Sequence, residues 1–271
     1  MASRPESGKS GKSGKSNKSK TGGLSEAQQR ANEKLKLPEN KKPSVLDRNT
    51  IWNAIKPDDY ADDETDKAFV IKTQRTLRLE FRQILKIDNL QELTSLTRLF
   101  LDNNFLEQIT GLDALVNLVW LDLSFNKIRK VEGLEKLEQL QVLALYQNDI
   151  ENLENLEHLT MLSVLRVGNN KLSDRKDILY LRKLKSLRTL SIKGNPFCFT
   201  EEWRNFTVAL LPNLSYLEIS SISLEEREKA ISKFQVSTVP QIQRVLFDQF
   251  LRIQSFDSYA FEAFKIVKIL F

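Results

Sequence analysis

Residues 118–140 read LVWLDLSFNKIRKVEGLEKLEQL. Leu121 and Leu123 alternate with other residues, and this period of two predicts a short strand that turns both leucines to the same face. Asn126 follows where the chain must turn, and its side chain can hydrogen-bond backbone groups that a buried corner would leave without partners. From Ile128 to Leu137 the apolar residues recur every three positions. This spacing indicates a tight helical or irregular return across the back of the coil.

The same pattern recurs along most of the chain. The first four steps between copies are 22 residues long and the next two are 25 and 27, with copies starting at Gln74, Leu96, Leu118, Leu140, Leu162, Leu187 and Leu214. The corner position reads Arg82, Asn104, Asn126, Asn148, Asn170 and Asn195. A series of amphipathic helices does not explain Asn at a fixed offset. The pattern is typical of leucine-rich repeats, in which stacked coils bury a shared core.

The sequence therefore predicts an α/β fold, namely a leucine-rich repeat solenoid with a parallel β-sheet on its concave face and a cap at each end. We expect a helical N-terminal cap within residues 44–57, with Ser44 as its N-cap and Pro57 ending it. The acidic run Asp58–Asp66 is predicted to be a solvated loop, followed by an edge strand at Phe69–Ile71. The C-terminal cap is predicted over about residues 195–233, with a helix that ends at Pro212 and a last strand through Leu214, Leu217 and Ile219.

These features divide the chain into four predicted parts. A basic Gly/Ser/Lys-rich tail and linker is followed by the N-terminal capping region, the repeat domain with its C-terminal cap, and an amphipathic or apolar tail: residues 1–43, 44–73, 74–233 and 234–271. The fifth coil is lengthened by an insertion, residues 173–188, whose apolar spacing predicts a helical turn. The insertion is rich in Arg and Lys, which indicates either a solvated face or a docking face for an acidic partner.

The positive charge of the chain is concentrated at its N-terminus. Residues 1–42 carry 11 Lys and Arg against four Asp and Glu, a net charge of +7, whereas residues 43–271 carry 30 and 32, a net charge of −2. The composition of residues 1–23 is typical of disordered tails. We expect this tail to make a weak, salt-sensitive contact with an acidic surface such as the tubulin tails.

The sequence offers no constellation for catalysis, so we expect a protein without enzymatic activity, cofactor or metal. The Gly-Lys-Ser triplets do not match a phosphate-binding loop, because the required glycine spacing and the preceding strand are missing. The single histidine, His158, has no Cys or carboxylate partner in the pattern. The single cysteine, Cys198, excludes a disulfide within the chain and fits a reducing compartment. Without an apolar N-terminal run or a membrane-length apolar stretch, we expect a soluble intracellular protein with no membrane contact.

The concave face is the predicted functional surface. Residues that alternate with the buried leucines face this side, and we expect Phe100, Trp120, Val142 and Tyr146 to lie close together there. Exposed aromatic groups rimmed by charge are typical of protein-binding sites. The alternative is that a terminal segment of the same chain fills the face. The predicted partner-binding residues are Phe100, Trp120, Tyr146, Arg78, Arg98, Asp122 and Arg166.

Several stretches resemble the leucine-rich repeat family of dynein regulatory complex subunits, found in the nexin link of motile cilia and flagella. They are FRQILKIDNL (81–90), LVWLDLSFN (118–126) and ILYLRKLKSLRTLS (178–191), and the resemblance covers about residues 44–233. It implies a cytoplasmic, cytoskeletal scaffold of the axoneme that binds other complex subunits and axonemal proteins and helps regulate dynein-driven sliding. The family carries a long coiled coil after its repeats, whereas this sequence shows no sustained heptads after its own.

Two other functions fit the repeats. A regulatory subunit of a protein phosphatase has similar 22-residue repeats and a similar cap, and co-purification with a catalytic subunit would identify it. A nuclear RNA-associated adaptor is favoured by the basic tail, but no aromatic residues interleave its lysines for base stacking. We therefore expect no nucleic-acid partner.

Overall fold

Each coil of the repeat domain contributes a short strand that contains a buried leucine, as the period of two predicts. The computed structural model describes residues 44–57 and 64–234. Its strands are β1 (Ser44–Val45), β2 (Thr76–Arg78), β3 (Ile84–Lys86), β4 (Arg98–Phe100), β5 (Trp120–Asp122), β6 (Val142–Ala144), β7 (Val164–Arg166), β8 (Thr189–Ser191), β9 (Tyr216–Leu217) and β10 (Ser220–Ser221). An eight-stranded sheet has the order β10-β9-β8-β7-β6-β5-β4-β2, parallel except for β10. The predicted solenoid fold is confirmed.

The strand register is the one that the repeat predicts. Trp120 lies opposite Arg98 on one side and Val142 on the other, and Leu121 lies between Leu99 and Leu143. The leucines are buried in one continuous core, while the residues between them face the other side of the sheet. Residues at equal repeat positions therefore form columns that run across the strands.

The helices lie at the two ends of the described solenoid and in the insertion. They are α1 (Arg48–Ile55), α2 (Glu64–Thr73), α3 (Lys176–Leu181), α4 (Trp203–Leu210) and α5 (Leu224–Phe234), with a 3₁₀ helix at Pro196–Phe199. All described residues belong to one compact unit, residues 37–271; the other unit, residues 1–36, lies outside the described part. The predicted tail and linker at 1–43 and nearly all of the predicted tail at 234–271 are outside it too.

The N-terminal cap differs from the prediction in its first residues. The helix α1 is present, but its N-cap is Asp47, whose Oδ1 accepts a hydrogen bond from Thr50 N at 2.6 Å. Ser44 instead belongs to β1, which pairs in parallel with β3. Ser44 N donates to Gln83 O at 3.2 Å, so this backbone pairing replaces the predicted cap.

The predicted edge strand at Phe69–Ile71 is wrong, because these residues lie within α2. The short apolar run has strand propensity, but helix-forming residues on both sides extend a helical segment through it. Val70 and Ile71 pack against the core, and Phe69 stays exposed. Residues 64–66 also belong to α2, which shortens the predicted acidic loop; residues 58–63 are outside the described part.

At the C-terminal cap the one predicted helix forms as α4, whereas α5 was not predicted and the last strand is shorter than predicted. Leu214 and Leu217 are buried, whereas the side chain of Ile219 is fully exposed. Glu218 adopts a left-handed φ of 60°, which turns the chain from β9 into β10 and takes Ile219 out of the strand. Side chains fasten α5 to the cap, since Arg204 Nε lies 2.6 Å from Glu226 Oε1.

Buried asparagines join each coil to the coil before it. The Oδ1 atom of Asn126 accepts a hydrogen bond from Leu106 N at 3.0 Å, and its Nδ2 donates to Leu101 O and Leu123 O, both at 3.0 Å. Equivalent bonds are made by the other ladder asparagines, Asn104, Asn148, Asn170 and Asn195. The ladder satisfies backbone groups that would otherwise be buried without partners.

Truncating a core leucine tests the inward positions. Leu121 and Leu143 are fully buried, so Leu121→Ala and Leu143→Ala should each lower the free energy of unfolding by about 2–5 kcal/mol in urea denaturation. The matched control is Val116→Ala, whose side chain is 48% exposed and should matter by less than about 1 kcal/mol. Leucine variants as stable as the control would contradict the assignment of the core.

Replacing a ladder amide tests the corner. Asn126→Asp keeps the size of the side chain but removes the donor for Leu101 O and Leu123 O and buries a carboxylate. We expect it to lower the free energy of unfolding by about 2–3 kcal/mol or more. The control Asn117→Asp loses one exposed bond to Thr94 O and should lose about 1 kcal/mol at most. Equal losses of unfolding free energy at both positions would show that the ladder hydrogen bonds stabilise the fold no more than an exposed one does.

Candidate functional site

The centre of the concave face is apolar. Trp120, Val142 and Val164 lie opposite one another on β5, β6 and β7, and each is half-buried. We call these three residues the apolar strip. Neighbouring strands are about 4.8 Å apart, so the strip spans about 10 Å across three coils. It forms because the repeat register places the same outward position of each coil in one column.

Aromatic contacts extend the strip toward the first coil. The rings of Phe100 and Trp120 have centroids 6.2 Å apart and are tilted by 38°. The guanidinium carbon of Arg78 lies 4.2 Å from the centroid of the Phe100 ring, a cation–π geometry. Arg78 also lies 2.9 Å from a carboxylate oxygen of Glu80. Phe100, Trp120 and Arg78 therefore form one contact series.

Tyr146 does not join this series, which corrects the expectation of a single aromatic cluster. It lies four residues after Val142, or about 13 Å along an extended chain. Its ring instead packs edge-on against Phe125 with centroids 5.5 Å apart, and its hydroxyl accepts a hydrogen bond from Asn169 Nδ2 at 2.6 Å. A Cβ atom on Gly168 would lie 3.0 Å from the Tyr146 ring, so glycine is what lets the ring lie there.

Phe125 is a surface residue that the sequence reasoning missed. It directly precedes the ladder residue Asn126 and has a left-handed φ of 56°, which is unusual for a bulky side chain. The equivalent corner positions, which also have positive φ, hold Phe81, Asn103, Gln147, Asn169 and Gly194. Phenylalanine therefore occupies two corners of a column that otherwise holds amides and glycine, and the sequence pattern alone did not single out Phe125.

Carboxylates line the face beside the aromatic residues, on the side where the strands end. Burial raises the pKa of Asp102, a hydrogen bond from Asn103 opposes that effect, and the negative charges of Asp122 and Glu80 raise the pKa further. Asp122 Oδ1 accepts a hydrogen bond from Ser124 N at 2.9 Å. Within the described residues, neither Asp102 nor Asp122 forms an ion pair. We call Glu80, Asp102 and Asp122 the acidic row.

The remaining predicted site residues flank the strip. Arg98 lies opposite Trp120 on β4, and Arg166 follows Val164 by two residues on β7. Both side chains are exposed. The structure thus places positive charge at both ends of the strip and negative charge along one side.

Trp120 is more deeply set than a simple surface anchor. Its Nε1 atom is buried and has no hydrogen-bond acceptor within the described part of the chain. Leaving a buried donor without a partner costs about 1–3 kcal/mol, so the position is not optimised for stability alone. A buried tryptophan donor without a partner on a half-buried face is a feature that calls for an explanation beyond stability.

The insertion in the fifth coil is anchored to the coil before it. Asp177 Oδ1 accepts a hydrogen bond from Leu153 N at 2.7 Å, and the hydroxyl of Tyr180 accepts one from Leu156 N at 2.6 Å and donates to Glu157. Burial, followed by the hydrogen bond to Glu157, raises the pKa of Tyr180 to about 12. The basic side chains are partly engaged as well, since Lys183 Nζ lies 3.8 Å from a Glu157 oxygen.

The described residues offer no group of three or more His, Cys, Asp or Glu side chains that would hold a metal ion. His158 Nε2 lies 2.8 Å from Leu134 O, a contact between neighbouring coils. Burial raises the pKa of the Cys198 thiol to about 12, so this cysteine is not a ready nucleophile. No helix in the described part has the length and apolar character needed to cross a membrane.

A match to a known family agrees with the fold. A family model for the leucine-rich repeat matches residues 119–246. None of the curated proteins compared with the chain matches it. A chain of the Drosophila melanogaster SNF/U2A′ complex is similar at 22% identity with a TM-score of 0.48, covering 76% of this chain and 99% of that chain.

Two proteins of Listeria monocytogenes are similar as well. Internalin InlF is 20% identical with a TM-score of 0.44, over 59% of this chain and 51% of that chain. Internalin C2 is 24% identical with a TM-score of 0.44, over 57% and 74%. The parallel sheet, the buried leucine columns and the family match over residues 119–246 together show a leucine-rich repeat fold.

Removing the charge of Asp102 should stabilise the domain near neutral pH. The folded state raises the pKa of Asp102 above its ordinary value of 3.8, so ionisation opposes folding as the pH rises through the folded pKa. Asp102→Asn should therefore be more stable than wild type at pH 7, by up to about 1 kcal/mol. The advantage should shrink as the pH falls through the ordinary value of 3.8 and vanish below about pH 3, where Asp102 is largely neutral in both states. Thermal unfolding across this pH range checks it, and a variant that is less stable at pH 7 would contradict the assigned surroundings.

Proposed function

We propose that this protein is a non-enzymatic scaffold subunit of the nexin–dynein regulatory complex in motile cilia and flagella, similar to dynein regulatory complex subunit 3. In this role it binds other subunits of the complex and axonemal proteins through its concave face. It thereby helps regulate dynein-driven microtubule sliding. The single observation that carries the binding role is the half-buried apolar strip on an ordered sheet.

The geometry supports protein binding in two ways. Large aromatic side chains dominate the energetics of protein interfaces, and Phe100 and Trp120 stand side by side on adjacent strands. The strands fix their positions, so little ordering entropy is lost when a partner binds. The flanking residues Arg98, Asp122 and Arg166 supply the polar rim that is typical of interfaces.

The axonemal assignment is supported by the resemblance of residues 81–90, 118–126 and 178–191 to that family of subunits. On this proposal the protein resides in the cytoplasm and cytoskeleton, at the axoneme. The basic residues 1–42, with a net charge of +7, suit a weak contact with acidic tubulin tails. Neither nucleic acid nor membrane is part of the proposal, since the acidic row would repel both phosphate groups and anionic lipids.

The experiment is localisation and pull-down of the tagged protein in ciliated cells. The wild type should concentrate in axonemes and retain other dynein regulatory subunits. Trp120→Ala should preserve the fold, checked by circular dichroism and melting, and weaken the retention by about 30-fold, which corresponds to a loss of about 2 kcal/mol. The matched control Val116→Ala truncates an exposed apolar residue on a return segment and should retain the subunits.

Each alternative function gives a distinct result. Signal confined to the nucleus would contradict the axonemal assignment and favour an RNA-associated adaptor. Co-purification with a phosphatase catalytic subunit in place of dynein regulatory subunits would favour a phosphatase regulator. Full retention by a folded Trp120→Ala variant would show that the partner binds elsewhere.

A further inference from the structure

The apolar strip has a direction that selects the shape of a partner. Trp120, Val142 and Val164 lie on three successive strands, so the strip runs across the strands at about 4.8 Å per coil. An α-helix advances 5.4 Å per turn, and one helix laid along the strip brings about one side chain per turn over each coil. An extended segment laid parallel to the strands would meet the strip at one coil only. The strip therefore fits a helix of at least two to three turns.

The charges beside the strip select the chemistry of that helix. Asp102 and Asp122 flank the Phe100–Trp120 end on the side where the strands finish, and within the described residues neither has an ion-pair partner. Glu80 extends the acidic row but is already matched by Arg78 at 2.9 Å. A helix on the strip thus passes two uncompensated carboxylates along one flank. Its other end lies beside the exposed guanidinium of Arg166.

We infer that the concave face takes an amphipathic helix of a protein partner, with an apolar stripe on the strip, Lys or Arg beside that stripe facing Asp102 and Asp122, and an acidic residue near Arg166. This inference rests on the proposed protein-binding function and deepens it by naming the partner's chemistry. The apolar stripe supplies the contact area, because Phe100, Trp120 and the two valines form the apolar surface that faces it on this part of the sheet. The basic flank supplies orientation, because reversing the helix would bring its basic residues toward Arg166 and its acidic residue toward the carboxylates.

The test uses the full-length chain and two labelled synthetic helical peptides of about 18 residues, or five turns. Both carry a leucine stripe; one has Lys at the positions beside the stripe and the other has Glu at the same positions. Binding is followed by fluorescence anisotropy for the wild type, for Asp102→Asn/Asp122→Asn, and for Trp120→Ala. The matched control is Glu138→Gln/Glu154→Gln, which neutralises two exposed carboxylates on return segments.

Each variant is compared with the wild type for the same peptide. Residues outside the concave face contribute equally to both affinities, so their contribution cancels in the ratio. We expect Asp102→Asn/Asp122→Asn to weaken the Lys peptide by about tenfold or more at low salt and to leave the Glu peptide unchanged or tighter. The control double variant should bind the Lys peptide like the wild type. Circular dichroism establishes that every variant is folded, and the Asn substitutions keep the acceptor that Asp122 offers to Ser124 N.

The inference is overturned if the Asp102→Asn/Asp122→Asn variant binds the Lys peptide within about twofold of wild type, or if the Lys peptide does not bind the wild type below about 1 mM. In the first case, Trp120→Ala decides what remains of the inference. If this variant binds both peptides more weakly than the wild type, the concave face is still the docking surface, and only the basic flank of the partner helix is ruled out. If Trp120→Ala changes neither peptide, the docking surface of the proposed function is wrong as well. The two failures are therefore distinguishable.

Discussion

Buried backbone groups at the corners of the coils must find hydrogen-bond partners, and the asparagine ladder meets this requirement. Each ladder side chain accepts from an amide of the preceding coil and donates to carbonyls of both coils, as Asn126 does with Leu106, Leu101 and Leu123. An unpaired buried polar group costs about 1–3 kcal/mol, so the corner cannot move without losing several such bonds. The ladder thus fixes the offset between neighbouring coils. The first coil has Arg82 in place of Asn, and its backbone amide is satisfied by Asn104 of the next coil at 3.1 Å.

The fixed offset has a functional consequence, because it brings the same position of every coil into one column. Trp120, Val142 and Val164 are separated by 22 residues each in sequence yet adjacent in space. Stacked coils share one core, so the outward columns can vary without changing the fold. In this chain the outward columns hold the Phe100–Trp120 pair, the apolar strip and the acidic row on one face. The proposed binding surface is therefore formed by outward positions that the core does not need.

The repeat period was sufficient to predict the solenoid, the buried leucines and the columns, because those features depend on spacing alone. The departures occur where spacing gives no information. The cap of α1 is Asp47 rather than Ser44, since β1 takes Ser44 into a backbone pairing with a residue about 40 positions away. The helix α2 replaces a predicted strand at Phe69–Ile71. The strand propensity of these three residues is outweighed by the helix propensity of the residues on both sides.

The candidate site was predictable in part for the same reason. Phe100 and Trp120 are neighbours because they lie in adjacent coils within strands of known register. Tyr146 lies beyond the end of β6, where the corner geometry rather than the repeat decides its contacts, and there it meets Phe125. The acidic row required the structure, because only the geometry shows which carboxylates lack a compensating charge.

We propose that the partner contacts the apolar strip of the concave face and not the return side of the solenoid. Site-specific photo-crosslinking in ciliated cells tests it most directly, with benzoylphenylalanine placed at Val142 on the strip or at Val116 on a return segment. If the strip binds the partner, position 142 should crosslink to other dynein regulatory subunits and position 116 should not. Crosslinks to those subunits from position 116 alone would contradict it.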